Sequence, residues 1–531
     1  VTAACVLLIG VPLLMAAFGR SARRPWLALG LITLGCIALG IGTEWLQAAF
    51  IPGRYGSMTD ALSNTLGCLL GAVVSYQLTV VSNAMAHKTG CDSASLTPDT
   101  CHLTPISSVL CFASGYDAPP TSKHHVMHVL ADQGNTVLWV NYHASRMPTA
   151  SGSDLRYIAR KLRQVAGGLK NPRTNVYVLT PLVVPLPSSA FARRLNRALL
   201  TWQIRRALRK VSPGPNTPLE LWSFTPDVAY LLDRFGQQRV VYYCVDDHSQ
   251  FTGYDTRQVL RDEEALCRRA DLVVTTSGPL QESRKPWNPN TILVPHGVDY
   301  EHFAQALNDN LPEPAELTAI PRPRLGFFGL LRDWVDLDLL AEVARRRPDW
   351  HVVLLGDSTV DLSPYRSLAN MHFLGPKPYG ELPAWCRGFD VGLIPFKLNP
   401  LTHAVNPIKL REYLAAGLPV VSTPLPEVAR YAQVEEEGDR CQVSDVSDAR
   451  TSAWVSLADG PDAWTDALDA IVREEGVRCQ VSGVSASPAS SFQLPTSASA
   501  RLARSAAMRS ETWQAKVRRI RETMEAATAE D

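Results

Sequence analysis

Residues 406–423 read NPIKLREYLAAGLPVVST, and the hydrophobic period of the passage changes halfway along. IKLREYLAAG is a helical run with Pro407 at its opening, where a fixed φ and a missing N–H cost little, and Gly417 at its close. LPVVST then reads as a short, continuously apolar strand of the kind that a parallel sheet buries on both faces. A helix delivered straight into such a strand is the repeating unit of a doubly wound α/β fold.

The same alternation extends outward in both directions. RLGFFGLL (324–331), HVVLLGDS (351–358), MHFLGPKP (371–378) and VGLIPFK (391–397) each read as a strand followed by a helical spacer. An earlier series runs through SSVLCFAS (107–114), TVLWVNY (136–142), NVYVLTPL (175–182), LELWSF (219–224), VVYYCVDD (240–247), LVVTTS (272–277) and TILVPHGV (291–298). The rhythm restarts near Pro321–Pro323, so two Rossmann-like units stand in tandem. Ligands of open α/β sheets bind at the carboxyl ends of the strands, and two facing units place that binding in a cleft.

The chemistry of the first helix follows from its dipole. Lys409 lies in the first turn, at the positive end, and Glu412 is three residues on, along the same face. Backbone N–H groups, a helix N-terminus and a cation suit a bound anion such as a phosphate. Lys409 is therefore expected on an anion, with a solvated ion pair to Glu412 as the bland alternative; the first resemblance given below implies that the anion is a donor diphosphate and that Glu412 takes ribose hydroxyls. Asn406 opens the helix, Gly329 allows a close backbone approach to phosphate, and Arg332 adds a cation beside it. Asp336 and Asp338 read as capping or solvating the next helix. Asp246, Asp247 and His248 follow a strand directly, where a carboxylate or imidazole can take or orient an acceptor proton. Asp117, after the Gly115 turn, is the other catalytic candidate. His124 and His125 read as packing or capping residues, while His296 and Asp299 can line the cleft.

Composition bounds the partners. The 531 residues carry a formal charge of +1, with 46% hydrophobic and 19% charged, which argues against a dedicated nucleic-acid binder. Eleven cysteines contain no C-x-x-C pair, so free thiols are expected rather than a zinc ribbon or a dithiol motif. The charges are unevenly spread. Residues 1–82 hold only Arg20, Arg23, Arg24, Glu44, Arg54 and Asp60. Their apolar runs at 26–50 and 61–82 reach the roughly 20 residues a membrane span needs. The run at 3–18 is shorter, as a truncated or tilted span would be. The arginine cluster at 20–24 is expected to stay in the cytoplasm, which puts everything after residue 88 on the cytoplasmic side of the inner membrane. Residues 83–105 read as a linker. Residues 190–211 carry seven basic residues and no acid, with Leu195, Leu199 and Trp202 on one face. This is a helix for anionic headgroups or a lipid-diphosphate acceptor, or else a solvated domain helix. EEEGDRCQVSDVS (435–447) recurs as EEGVRCQVSGVS (474–485), so 433–500 reads as a low-complexity insertion before a C-terminal helix in 501–531.

Two resemblances add to this reading. VVYYCVDDHSQFTGYD (240–255), LRDEEALCRRADLVVTTSGPL (260–280), ILVPHGVDYEHF (292–303), GFFGLLRDWVDLDLL (326–340), FLGPKPYGELPAWCRGFDVGLIPF (373–396) and the opening passage together resemble GT-B glycosyltransferases of the family 1/4 type, in particular those of the teichuronic-acid-biosynthesis kind. The resemblance implies two Rossmann-like domains, an acceptor half at 106–320 and a donor half at 321–432. It also implies a nucleotide-sugar donor, a lipid-linked or cell-surface polysaccharide acceptor, and no cofactor or metal. Gly375 and Tyr379 fall in the loop where relatives hold the base, with ordinary turn residues as the alternative. Retaining relatives often place a second glutamate eight positions before the one matched by Glu412. Here that position is Ala404, which leaves retention or inversion open, with His403 and Asn406 as neighbours. GTEWLQAAFIPGRYGSMTDALSNTLGCLLG (42–71) resembles the last part of the VanZ-like membrane family, with a polar cluster locking a helical hairpin as its alternative. A sugar-nucleotide epimerase of the same fold and a non-catalytic VanZ-like resistance or scaffold protein stand as rival functions.

Overall fold

A computed structural model describes residues 107–142, 164–165, 167–183, 190–214, 216–432, 454–474 and 497–529. The expected membrane spans, their VanZ-like hairpin and the linker lie outside the described residues. Among the described residues no helix is long and apolar enough to cross a membrane.

The first sheet opens with β1 (Ser108–Ala113), the helix α1 (Ser122–Asp132) and β2 (Thr136–Asn141). It continues through β3 (Leu169–Arg173), β4 (Val176–Leu179), helix α2 (Ala190–Val211), β5 (Leu219–Ser223), β6 (Arg239–Cys244), helix α3 (Thr256–Cys267), β7 (Leu272–Thr275), helix α4 (Gly278–Arg284) and β8 (Thr291–Leu293). The strand order is β3-β4-β2-β1-β5-β6-β7-β8. From β4 to β8 every neighbouring pair is parallel; β1 lies centrally, with Ser108 opposite Thr136 on one side and Leu219 on the other. Valine, leucine and aromatic residues fill β1, β2 and β5, every residue of which is buried, as a sheet covered on both faces requires.

The second sheet runs β9 (Arg324–Phe328), helix α5 (Leu337–Arg346), β10 (His351–Leu355), β11 (Met371–Phe373), β12 (Val391–Ile394), helix α6 (Ile408–Ala415), β13 (Val420–Ser422), helix α7 (Pro426–Ala432) and β14 (Val455–Leu457). Its order is β11-β10-β9-β12-β13-β14, parallel throughout. Helix α5 buries Leu337, Leu339, Leu340, Ala341, Val343 and Ala344, and Asp336 caps it by accepting from the Leu339 N–H at 3.0 Å.

Two features depart from the sequence reading. The segment 433–500 is not wholly an insertion: β14 pairs with β13, and the helix Gly460–Glu474 (α8) puts Trp464, Leu468 and Ile471 into the second core. The chain then closes with two helices, α9 (Ser497–Ala507) and α10 (Trp513–Ala529). The last returns to the first sheet, where Trp513, Val517, Ile520 and Met524 join Val109, Trp139, Trp222 and Tyr243 in one core. The four described cysteines, Cys111, Cys244, Cys267 and Cys386, are free and buried, small apolar fillers as read.

Candidate active site

The carboxyl ends of β9 and β10 carry Gly329 and Gly356, with φ of +141° and +158°. A Cβ on Gly356 would stand 1.7 Å from the Gly329 carbonyl oxygen, so the two loops touch through bare backbone. A Cβ on Gly329 would meet the side chain of Lys409, 2.4 Å from Cε and 2.7 Å from Nζ. The Lys409 ammonium is thus laid across the Gly329 backbone, 5.7 Å from the Phe327 ring centroid. It has no hydrogen-bond acceptor among the described residues. Burial pulls its pKa down, and Glu412 partly restores it. The side chain of Arg332, half-buried in the loop after β9, also makes no hydrogen bond or ion pair among the described residues, while its carbonyl accepts from the Val335 N–H at 3.0 Å. A cation without a partner, set against exposed backbone at a strand end, is an arrangement for a bound anion.

Glu412 lies one turn further along α6 and is buried. Burial pushes its carboxyl up to about 7; Lys409 opposes the shift and Asp299 adds to it. Near neutral pH it can therefore both donate and accept, which suits vicinal hydroxyls. Tyr379 closes the same space. Its ring stacks on His302 at 4.6 Å, its carbonyl is 2.9 Å from His302 Nε2, and its buried hydroxyl has no partner. Burial, with the charges of Glu412 and Asp299, pushes that phenol well above its usual range. Gly375, at φ +70°, accepts from the Gly356 N–H at 2.9 Å through its carbonyl. Lys409, Glu412, Tyr379, Gly329 and Gly375 therefore converge, and Arg332 lies three residues after Gly329 in the same loop.

Asn406 does not join them. Its amide donates to the Thr276 carbonyl (2.7 Å) and to Glu427 (3.3 Å), and accepts from Arg411 (2.7 Å). Glu427 also accepts from the Gly278 N–H (2.7 Å), and Ser277 Oγ donates to the Ala404 carbonyl (2.6 Å). Arg411 reaches Glu511 at 3.6 Å, and Glu511 pairs with Lys516 at 2.6 Å. Asn406 is thus a buried clamp between the two α/β units, and the backbone of Ala404 belongs to the same seam.

On the facing unit, the three neighbours after β6 divide. Asp247 caps the turn His248–Gln250, accepting from Ser249 N–H and Oγ and from Arg284, which itself binds buried Glu263. Burial pushes the Asp247 carboxyl up, but Ser249 and Arg284 outweigh it and hold it below its ordinary value. Its role is to fix the turn. Asp246 is different: its carboxylate accepts no hydrogen bond among the described residues, and burial raises its pKa against the pull of His248 and Lys123. His248 Nδ1 lies 3.1 Å from the Asp246 carbonyl oxygen. Asp117 sits exposed in the turn after β1.

Sequence reasoning missed Lys123 and Trp513, and read His125 only as a packing or capping residue. Lys123, in the first turn of α1, donates to Ser114 Oγ (3.2 Å) and sits within electrostatic reach of Asp246. His125 stacks on Trp513 at 5.1 Å and 2°, and approaches Tyr379 to 5.8 Å, so it crosses between the units. Trp513 in turn lies 5.9 Å from His296. Of the two histidines expected to pack or cap, His125 packs, and His124 caps by accepting from the Thr121 N–H through Nδ1 at 3.1 Å. The spacing of HH on a helix carried no signal separating one role from the other.

Comparison with known proteins bears on the fold. Residues 322–474 match the family described as glycosyl transferases group 1. A Bacillus subtilis (strain 168) protein named as a teichuronic acid biosynthesis glycosyltransferase, TuaH, is 30% identical over 239 residues, 41% of this chain and 60% of that protein. The chain thus spans about 60% of the length of this curated relative. Among solved structures, sucrose-phosphate synthase from Thermosynechococcus elongatus superposes with a TM-score of 0.54 at 13% identity, covering 80% of this chain and 100% of that one. The catalytic domain of starch synthase IV from Arabidopsis thaliana, bound to ADP and acarbose, gives 0.53 at 10%, covering 80% and 100%. The chain therefore has the GT-B fold of two parallel α/β units, and its second unit is similar to the group 1 glycosyl transferases.

Proposed function

We propose that the chain transfers a sugar from a nucleotide-sugar donor to a lipid-linked or cell-surface polysaccharide acceptor, at the cytoplasmic face of a membrane. The observation that carries this reading is the partner-free Lys409 ammonium lying on the Gly329 backbone at the ends of β9 and β10. Lys409, with Arg332 beside it, neutralises the donor diphosphate as the leaving-group charge grows, and the bare Gly329 and Gly356 backbone lets the phosphates approach. Glu412 holds the ribose hydroxyls, while Tyr379 and Gly375 border the base. Asp246, oriented with His248 and close to Lys123, receives the acceptor hydroxyl's proton or orients that hydroxyl, and Asp117 borders the entrance. The donor half runs on to Glu474, and no resident cofactor or metal enters the proposal. The name of TuaH supports a surface polysaccharide as acceptor. The apolar runs at 26–50 and 61–82, with their VanZ-like hairpin, support attachment to the bilayer.

The test is incubation of the full chain with UDP-, GDP- and TDP-sugars. Transfer or slow hydrolysis of one donor is expected. Inversion at sugar C2 would instead make the protein an epimerase, and absence of any donor binding would leave the scaffold reading.

A further inference from the structure

Helix α2 carries Arg193, Arg194, Arg197, Arg205, Arg206, Arg209 and Lys210 without one acid. Leu200, Gln203, Ile204, Ala207 and Val211 are buried against the rest of the first unit, whereas Trp202, read on one face with Leu195 and Leu199, is 44% exposed. Its neighbours on the outer surface are Arg194, Arg205 and Arg209, at helical spacings of eight, three and seven. None of the seven cations makes an ion pair among the described residues; Arg205 Nε donates only to the Arg234 carbonyl, at 2.7 Å.

Ordinary solvation does not explain this face. Arg193–Arg197, Arg205–Arg209 and Arg206–Lys210 are like-charge pairs at i,i+4, which weaken a helix. An exposed indole at their centre gives up apolar burial as well. Solvated helices relieve both costs by mixing acids among the bases. An indole among arginines matches the boundary of an anionic bilayer, where the ring sits at headgroup depth and the guanidinium groups meet phosphates. The net charge of only +1 speaks against nucleic acid as the occupant. We propose that the outer face of α2 docks on an anionic phospholipid surface, with Trp202 inserted at the interface and the flanking arginines on headgroup phosphates. This goes beyond the transfer reaction and does not depend on it.

The test needs no turnover. The full chain is reconstituted into vesicles of brominated phosphatidylcholine, alone or with 30% phosphatidylglycerol. Tryptophan emission of the wild type minus that of Trp202→Phe isolates one of twelve indoles. The expected result is a blue-shifted, bromine-quenched Trp202 signal only in the phosphatidylglycerol vesicles, lost in both Arg205→Gln/Arg209→Gln and Arg205→Glu/Arg209→Glu. Circular dichroism and thermal melts confirm that each variant folds. A Trp202 signal unquenched in both lipids, as for a face that meets water, nucleic acid or protein, overturns the proposal. So does quenching that is equal in both lipids or that persists in the arginine variants.

Discussion

At the scale of single residues, Glu412 and Gly356 make the sharpest demands on the account. The Glu412 carboxyl is raised to about 7 in the folded protein, above its ordinary carboxylate value near 4.3. The folded state therefore holds this proton more tightly than the unfolded chain does. Its stabilising effect is complete below about pH 4 and is lost as pH rises through about 7. Glu412→Gln mimics the protonated form, so it should melt with the wild type at pH 4 and above it at pH 8. The same variant should raise the donor KM more than it lowers kcat. Gly356 tests the strand-end loops. An alanine there would place its Cβ 1.7 Å from backbone at a positive φ, a conformation that costs about 1–3 kcal/mol before any clash is counted. Urea unfolding of Gly356→Ala should show a loss at least that large. Gly329→Ala shares that positive-φ strain, at +141°, but its close contact is the flexible end of Lys409, so beyond the strain its effect should fall on donor binding.

At the scale of elements, the seam between α6, α7 and the start of α4 sets where Lys409 stands. Asn406→Leu leaves the Thr276 carbonyl, Arg411 and Glu427 without the amide they share. An unsatisfied buried group costs about 1–3 kcal/mol, and a drop of that size in unfolding free energy is expected by urea titration, with kcat falling as α6 loosens. This role was not legible in the sequence, because the Thr276 contact lies 130 positions away. What was legible had local causes. Runs such as VVYYC and HVVLL announce buried strands, and the Pro407 to Gly417 frame announced α6 with its cation. β14 escaped because Val455–Leu457 is three residues long, and β3 because LKNPR is polar and mostly exposed. Asp246 and Asp247 are indistinguishable by sequence, and only the Ser249 and Arg284 contacts separate the turn-fixing carboxylate from the unpartnered one.

For the whole molecule, the last helix meets the first unit through Trp513, His125 and His296, and that junction carries a pH signature. Burial lowers the pKa of His124 to about 4 and those of His125 and His296 to about 3. With folded values below the unfolded 6.5, these neutral rings contribute stability above about pH 6.5 that is lost as pH falls toward 3. The melting temperature should therefore fall steeply between pH 6.5 and 4, and His125→Gln/His296→Gln should flatten that fall. The central claim is that the two units hold a nucleotide-sugar diphosphate at Lys409 while charge develops on it. Steady-state kinetics of the full chain with its cognate donor test it directly, wild type against Lys409→Ala, with melts to confirm the fold. Loss of one charge-stabilising group typically costs about 3–4 kcal/mol, so kcat should fall two to three decades, roughly, with a much smaller change in donor KM. Wild-type turnover in Lys409→Ala would contradict the account and place the donor elsewhere.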